Sequence, residues 1–305
     1  MLDRINLIPS TLKEAFKILK AENPLILASS TAFFTTFSLP PIILILVNIF
    51  SFYFKSENVS QKLFLNIKTT LGEKPAEQIE SIVKNFQTLE SNTTITIAGF
   101  VFFAFVATTL LMVIQQSIHI LWHITAKTKN HWKVDFIDRA RALLMIVILG
   151  ILFMASQLLD AMVILIYAFV HELIPSLSSI YLRGFNIGLS SIFMISWITI
   201  LFKYLPDAKV KWEVAFAGGV LTGILFMFGK FLLHKLLIHS NIANIFGASA
   251  SFAIILLFIF YSSFIVYFGA SFTYAYGLKI QKPIIPDKYS NSYIEKIVDT
   301  ISTDE

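Results

Sequence analysis

The chain has 305 residues, of which 56% are hydrophobic and only 14% are charged. Soluble globular domains carry about 25% charged residues, so this composition excludes an ordinary water-soluble fold. The formal net charge of +5 does not indicate a nucleic-acid partner, because membrane proteins collect Lys and Arg in their cytoplasmic loops. The absence of cysteine excludes disulfide bonds and thiolate catalysis.

Residues 1–24 form a mixed polar segment ahead of the first apolar stretch, which begins near Leu25. A secretory signal would place its apolar core earlier, so we expect a retained cytoplasmic or interfacial segment. Residues 10–22 place apolar side chains on one helical face, opposite Lys13 and Lys17. This pattern predicts a short amphipathic helix, which either lies on an anionic membrane leaflet or is solvated on all sides.

Six long apolar stretches follow, each matching the length of about 20 residues that a helix needs to cross the hydrocarbon core. Backbone hydrogen bonds must be satisfied within each segment there, so these stretches predict helices. The sequence thus predicts an all-α polytopic membrane domain over residues 25–278 and a cytoplasmic tail over 279–305. The six transmembrane helices are predicted at residues 25–54, 94–122, 142–170, 185–204, 214–238 and 249–277.

Pro40 and Pro41 lie in the middle of the first apolar stretch. Each proline lacks an amide donor and crowds the preceding turn, so the pair predicts a first helix that is broken or kinked there. Interrupted helices often line substrate sites in transporters. The alternative is a purely structural kink or a turn between two helices.

Residues 55–93 form the one sizeable loop between the predicted transmembrane helices, on the extracytoplasmic side. Ile79, Ile82, Val83 and Phe86 recur at helical spacing within it, which predicts one or two short helices. Such a segment can act as a lid over a cavity or as a docking surface for envelope proteins. The sequence does not distinguish these two roles.

The second predicted transmembrane helix ends in a polar group that contains Gln115 and His119. These two residues are one turn apart and share a face. We expect interhelical hydrogen bonds from this face and an interfacial anchor at Trp122. His119 and His123 have the spacing of metal ligands, but no carboxylate accompanies them, so no metal site is predicted.

Asp160 and Lys230 are ionisable residues inside apolar stretches, where a charge is costly and marks a candidate functional site. By the helical rise, Asp160 lies about 27 Å and Lys230 about 24 Å from the starts of their parallel helices, so their side chains can meet. Gln157 lies one turn before Asp160 on the same face.

His234 and Glu172 extend this group toward the outer surface. The group predicts an outward-facing polar cavity that binds substrate. Asn186 either lines the same cavity or only forms contacts between helices. Two other interpretations are open. Asp160 and Lys230 can form a buried ion pair that only locks two helices together, or Lys230 can extend to the outer lipid headgroups.

Small residues recur where the predicted helices would pack closely. The candidate packing positions are Gly184, Gly188, Gly219, Gly223 and Gly269. Such spacing is common in membrane helices, so it predicts packing and does not indicate a function.

Lys and Arg are distributed unequally between the two sides of the predicted helices. They concentrate in the amino-terminal segment, in the loops 127–141 and 203–211 and in the tail. The loop 55–93 balances its basic residues with Glu. Because cytoplasmic loops are enriched in Lys and Arg, both termini are predicted to be cytoplasmic.

An ordered set of short motifs gives the chain a family resemblance across residues 10–278. The motifs are Ser38-Leu39-Pro40-Pro41, Lys203-Tyr204-Leu205-Pro206 with Lys209 and Trp212, Gly218-Gly219, Gly229-Lys230-Phe231, Gly247, Tyr261-Ser262-Ser263 and Gly269-Ala270. Together they resemble the YihY/BrkB family of bacterial inner-membrane proteins, once labelled ribonuclease BN. The resemblance implies six membrane helices with both ends cytoplasmic, and it implies little about activity.

The chain also departs from the family pattern. Ser271 stands where the family usually has an acidic residue, so any role of that carboxylate is absent here. Phe246 and Leu236 stand where Tyr is common, and Phe258 stands where Trp is common. The two lost hydroxyl groups weaken any argument that they are required.

Two functions are consistent with these patterns. The first is a transporter or flippase for an amphipathic anionic envelope molecule, a lipid or a precursor, that meets Lys230 in the outer cavity. The second is a non-transporting scaffold that recruits partners through residues 55–93. An enzyme is not expected, because the six histidines are scattered and no nucleotide-binding or hydrolase motif is present. No cofactor is expected, and membrane lipids are the expected partners.

Overall fold

The computed structural model of the chain describes residues 2–54, 64–65, 68, 73–87, 93–126, 136–152, 155–156, 179–239, 250–287 and 290–293. Helices account for most of these residues. They are α1 (Leu2–Ala21), α2 (Pro24–Phe54), α3 (Glu73–Gln87), α4 (Thr93–Leu121), α5 (helical residues 136–152), α6 (Ser179–Tyr204), α7 (Trp212–His239) and α8 (Ala250–Lys279). Four short strands complete the described elements: β1 (Ile124–Ala126), β2 (Ala208–Lys209), β3 (Ile285–Pro286) and β4 (Ser290–Ser292).

The described helices include four segments that are long and apolar enough to cross a membrane. These segments are Pro24–Ile45, Ala104–Leu121, Trp212–Gly229 and Phe252–Lys279, and a shorter apolar segment covers Gly188–Tyr204. The prediction of an all-α membrane protein is therefore confirmed.

Helix α8 is central to the packing of the described helices. It contacts α1, α2 and α7, while α2 also packs against α4, and α6 packs against α7. The main buried cluster joins these helices through side chains such as Trp122, Phe202 and Tyr267, each at most 1% exposed.

Large apolar side chains also remain exposed on the outer surfaces of the helices. They include Phe33, Phe37, Phe105, Ile192, Ile224, Phe228 and Leu257. An exposed apolar surface of this extent is characteristic of a protein whose outer side faces lipid. The pattern agrees with the membrane assignment.

Helix α2 continues without interruption through Pro40 and Pro41, so the predicted break is absent. The two prolines cannot donate hydrogen bonds to the carbonyl groups of the preceding turn. Both are nevertheless buried, and α2 is held on either side by α4 and α8. The Ser38 hydroxyl donates to the carbonyl of Val106 on α4 at 3.0 Å. Packing thus stabilises a helix that the local sequence disfavours.

Helix α1 extends well beyond the predicted residues 10–22 toward the amino terminus. Its buried face consists of Thr11, Ala15 and Leu19, which follow one another at helical spacing. Ala15 packs against Phe272 and Tyr276 of α8. The helix is therefore docked on the bundle along one side and is not solvated on all sides.

After α8 the chain returns to α1. The Lys279 ammonium donates to the Ser10 hydroxyl at 2.8 Å. Strand β4 pairs antiparallel with β1, and β3 pairs antiparallel with β2. We call this end of the bundle, formed by α1, the last turns of α4 and α6, and residues 280–287 and 290–293, the terminal face.

Helix α3 lies within the segment 55–93, where the sequence predicted short helices. Ile79 and Val83 are buried against Ile43 of α2 and Ile255 of α8. Ile82, which belonged to the same predicted apolar face, is 41% exposed. The helix thus covers part of the bundle and leaves its charged side free.

Candidate functional site

Asp207 is the centre of a polar cluster at the terminal face. It follows Pro206 in the short loop between α6 and β2. Its Oδ1 forms an ion pair with the Arg141 guanidinium of α5. Its Oδ2 accepts a hydrogen bond from Gln115 Nε2 of α4 at 3.0 Å. The carboxylate therefore connects two helices to the loop after a third.

His119 contacts the same residue through the backbone. The amide of Asp207 donates to His119 Nε2 at 3.0 Å. Because Nε2 accepts this bond, it carries no proton, and the imidazole is neutral with its proton on Nδ1. The separation of 3.8 Å between His119 Nε2 and Asp207 Oδ2 is therefore not an ion pair.

The carboxy-terminal segment closes over this cluster. The carbonyl of Asp207 accepts the Ser290 hydroxyl at 2.6 Å and the Asp287 amide at 2.9 Å. Ser290 also accepts a hydrogen bond from the Asp287 amide at 3.0 Å and pairs with Ala126 in the β1–β4 ladder. One residue, Asp207, thus links α4, α5 and the carboxy-terminal segment.

The cluster contains two carboxylates around a single guanidinium. Arg141 lies 3.7 Å from Asp138, one turn earlier in α5, as well as against Asp207. The Asp207 side chain is only 11% exposed and that of Arg141 is 29% exposed. A carboxylate buried to this degree requires a cation and hydrogen-bond donors, and Asp207 has both.

A second set of contacts surrounds His123, directly after α4. The ring of His123 lies between those of Tyr274 and Tyr293, with centroid separations of 5.8 and 5.6 Å. Its Nε2 is 3.6 Å from the Glu22 carboxylate, and its Nδ1 is buried without a hydrogen-bond partner. The neighbouring Trp122 donates from Nε1 to the carbonyl of Ala270 at 2.9 Å. These contacts connect α4 to both termini of the chain.

The described residues contain no group of three or more His, Asp or Glu side chains arranged to hold a metal ion. The Asp207 cluster instead joins separate chain segments through one ion pair and several hydrogen bonds. Such an arrangement holds these chain segments together at the terminal face.

The side chains predicted to line an outer cavity lie outside the part of the chain that the structure describes. Asp160, Gln157 and Glu172 lie outside the described residues. Lys230 and His234 lie on α7 and Asn186 lies on α6, but their side chains are outside the described atoms. The predicted Asp160–Lys230 pair therefore stays a prediction.

Three of the predicted small residues lie at close helix contacts. A Cβ atom at Gly269 would overlap the Thr222 hydroxyl of α7, and one at Gly219 would overlap the Thr199 hydroxyl of α6. At Gly223 the added atom would lie 2.7 Å from Ile195 Cγ1. These glycines let α7 approach both of its neighbours closely.

The other two predicted packing glycines give no such contact in the described structure. Gly188 has no described atom within 4 Å of the corresponding Cβ position. Gly184 lies on α6 at a position whose surroundings are outside the described atoms. The packing role of both residues stays a prediction.

Gln115 and His119 were predicted from the sequence to form interhelical hydrogen bonds, whereas Asp207 and Arg141 were not. Arg141 entered the prediction only as one of the basic loop residues that indicate orientation. Asp207 directly follows the Lys203-Tyr204-Leu205-Pro206 motif and is the only acidic residue among residues 203–211. An isolated carboxylate in a basic loop was the available signal, since it indicates a specific cationic partner.

Comparison with known proteins identifies the family. The family model described as Virulence factor BrkB matches residues 15–289. The chain is 28% identical to a UPF0761 membrane protein of Idiomarina loihiensis over 219 residues, covering 71% of this chain and 72% of the relative. It is 26% identical to UPF0761 membrane proteins of Pseudomonas aeruginosa and Legionella pneumophila, covering 80% and 84% of this chain.

The chain spans 57% of the length of the Pseudomonas relative and 59% of that of the Legionella relative. No solved structure matches the chain. The family match covers most of the chain and confirms the resemblance carried by the sequence motifs. The chain belongs to the BrkB family of membrane proteins.

Proposed function

We propose that this protein transports or flips an amphipathic anionic molecule of the cell envelope, and that the Asp207 cluster is its gate at the terminal face. In this proposal six helices cross the bacterial inner membrane and both termini are cytoplasmic. The gate then closes the cytoplasmic end. The substrate enters from the opposite side, through a polar cavity that contains Asp160 and Lys230.

The Asp207 cluster is the observation that carries the proposal. Burying an ionisable residue is costly unless it is paired and hydrogen-bonded, so the buried Asp207 carboxylate at this junction supports a functional role. A buried ion pair adds little net stability compared with apolar packing, so stability alone gives no reason to place Asp207 and Arg141 at this junction. The contacts of the Asp207 cluster also join separate elements, as the contacts of a gate must.

The expected substrate follows from the charge of the proposed cavity. Lys230 lies one position after Gly229, where α7 meets Tyr261 of α8 closely enough that a Cβ atom would overlap its ring. An ammonium group at such a depth favours an anionic headgroup. The apolar outer surface of the bundle favours a ligand that also carries acyl chains.

A lipid-translocation assay tests this function directly. The full chain is reconstituted into phosphatidylcholine vesicles containing a phosphatidylglycerol with a fluorophore on one acyl chain, and a membrane-impermeant reductant quenches the outer-leaflet fluorophore. We expect the wild-type protein to move the labelled lipid faster than protein-free vesicles do. We expect Lys230→Gln to reduce this rate and Asp207→Asn to change it by releasing the gate.

Lys84→Gln is the matched control, because Lys84 is an exposed cation that pairs with Glu80 on α3. It should translocate lipid at the wild-type rate. A wild-type rate equal to that of protein-free vesicles, for both labelled phosphatidylglycerol and labelled phosphatidylcholine, would contradict the proposal.

A scaffold is the second candidate function, and α3 is the observation that favours it. Its apolar face is buried on the bundle, which leaves Glu77, Gln78 and Ser81 exposed in a fixed orientation. Such a rigid polar surface can bind a partner protein. A translocation rate at background in every variant, together with loss of a co-purifying envelope protein in Glu77→Lys, would favour the scaffold.

A further inference from the structure

We propose that Arg139 of α5, with Phe105, Thr108 and Thr109 of α4, binds the phosphate group of an anionic phospholipid. The site is separate from the Asp207 cluster and from the outer cavity. Lipid binding at this site requires no transport activity, so this proposal does not depend on whether the protein moves lipid.

Arg139 and Arg141 lie two residues apart but make different contacts. Arg141 pairs with the carboxylates at the terminal face. Arg139 Nη1 instead donates to Thr108 Oγ1 at 3.1 Å and to the Phe105 carbonyl at 3.3 Å, with Thr109 Oγ1 at 3.5 Å. Thr108 precedes Gln115 by two helical turns, or about 10 Å of rise, so Arg139 reaches α4 away from the terminal face.

The contacts of Arg139 leave its charge without a counterion in the described structure. All three acceptors are neutral oxygens, and no described ion pair involves Arg139. A guanidinium is always protonated and carries five N–H donors, of which the described hydrogen bonds occupy only those on Nη1. The Nη2 and Nε donors can bind an anion in the bidentate geometry that arginine forms with phosphate.

The surroundings of Arg139 match the remainder of a lipid. Its guanidinium carbon lies 3.9 Å from the centroid of the Phe105 ring, which is 53% exposed. Phe102 and Phe136 are also exposed, at 61% and 73%. A cation beside an exposed aromatic surface suits a molecule with an anionic headgroup and acyl chains. Free phosphate has no group that would contact these rings.

Two simpler roles for Arg139 must be distinguished by experiment. In the first role, its hydrogen bonds to Thr108 and Phe105 hold α5 against α4 and Arg139 binds no lipid. Asp135, which lies outside the described residues, precedes Arg139 by four positions in the sequence. Oppositely charged residues four positions apart on a helix often form an ion pair, so Asp135 is an alternative counterion for Arg139.

Native mass spectrometry of the purified full chain tests the site with dioleoyl-phosphatidylglycerol and, separately, dioleoyl-phosphatidylcholine. Arg139→Gln removes the charge but keeps an amide that can donate to Thr108. We expect its retention of phosphatidylglycerol to fall about fivefold, because one basic residue near an anionic lipid surface contributes about 1 kcal/mol. Retention of phosphatidylcholine and the thermal midpoint in lipid-free detergent should not change.

The control variant Lys84→Gln removes an equal charge from an exposed ion pair and should retain phosphatidylglycerol as the wild type does. Equal retention by Arg139→Gln and the wild type would overturn the proposal. A lower thermal midpoint of Arg139→Gln in lipid-free detergent, with retention unchanged, would assign Arg139 to helix packing. Retention that appears only in Asp135→Asn would show that Asp135 neutralises Arg139 in the wild type, which also overturns it.

Discussion

The Asp207 carboxylate and the Arg141 guanidinium form an ion pair between the loop after α6 and the first turns of α5. Asp207 retains only 11% of its side-chain exposure there. The loss of stability on removing one partner should therefore lie between two limits. Exposed ion pairs contribute about 0–1 kcal/mol, and removing one partner of a buried pair costs about 3–5 kcal/mol.

We therefore predict that Asp207→Asn lowers the free energy of unfolding by about 1.5–3 kcal/mol, because hydrogen bonds to charged groups contribute that much. Thermal unfolding in detergent measures the change. The double variant with Arg141→Gln should be less destabilised than the sum of the two single variants, since both remove the same interaction. Additive effects would show that the pair is not energetically coupled.

Ser290 should hold the carboxy-terminal segment on the bundle. Its hydroxyl is bound to the Asp207 carbonyl and to the Asp287 amide, so Ser290→Ala removes two hydrogen bonds of about 1 kcal/mol each. We predict faster hydrogen exchange at the Asp287 amide and faster proteolysis within residues 282–293. Ser292→Ala, on the exposed part of the same strand, is the control and should leave both rates unchanged. Equal rates of hydrogen exchange and proteolysis in the two variants would show that Ser290 does not hold the carboxy-terminal segment on the bundle.

The contact between Gly269 and Thr222 predicts a size-dependent pair of substitutions. Gly269→Ala places a methyl group on the Thr222 hydroxyl and should lower the thermal midpoint, since overpacking costs about 1–3 kcal/mol. Thr222→Ala removes the obstructing atoms and should restore part of the loss in the double variant. Gly188→Ala, with no described atom near its Cβ position, should not lower the midpoint. A double variant less stable than Gly269→Ala alone would be inconsistent with direct overlap.

The sequence predicted the all-α membrane class, because apolar length is a strong signal for membrane segments. The predicted residues 214–238 and 249–277 correspond closely to α7 and α8. The break predicted at Pro40-Pro41 was wrong, because local propensity takes no account of the packing of α2 against α4 and α8. Tertiary contacts supplied what the local sequence lacked.

The polar cluster was predicted only in part, for a different reason. Gln115 and His119 were recognisable as a polar face of one helix, but their partner Asp207 lies about 90 residues later in a loop. Periodicity describes one helix at a time and gives no information about which loop meets it. The strand pairing that brings Ser290 to Asp207 involves three-residue strands, which are too short to produce a pattern.

The bond between the Asp207 amide and His119 predicts a single tautomer of the imidazole. Because Nε2 accepts this bond at 3.0 Å, we expect the proton on Nδ1. The 15N chemical shifts of labelled His119 report this directly, with an unprotonated Nε2 and a protonated Nδ1. His119→Leu leaves the Asp207 amide without its acceptor and should cost about 1 kcal/mol, whereas His119→Gln can still accept the bond and should cost less. A protonated Nε2 cannot accept a hydrogen bond from the Asp207 amide, so finding one in the wild type would contradict this bond.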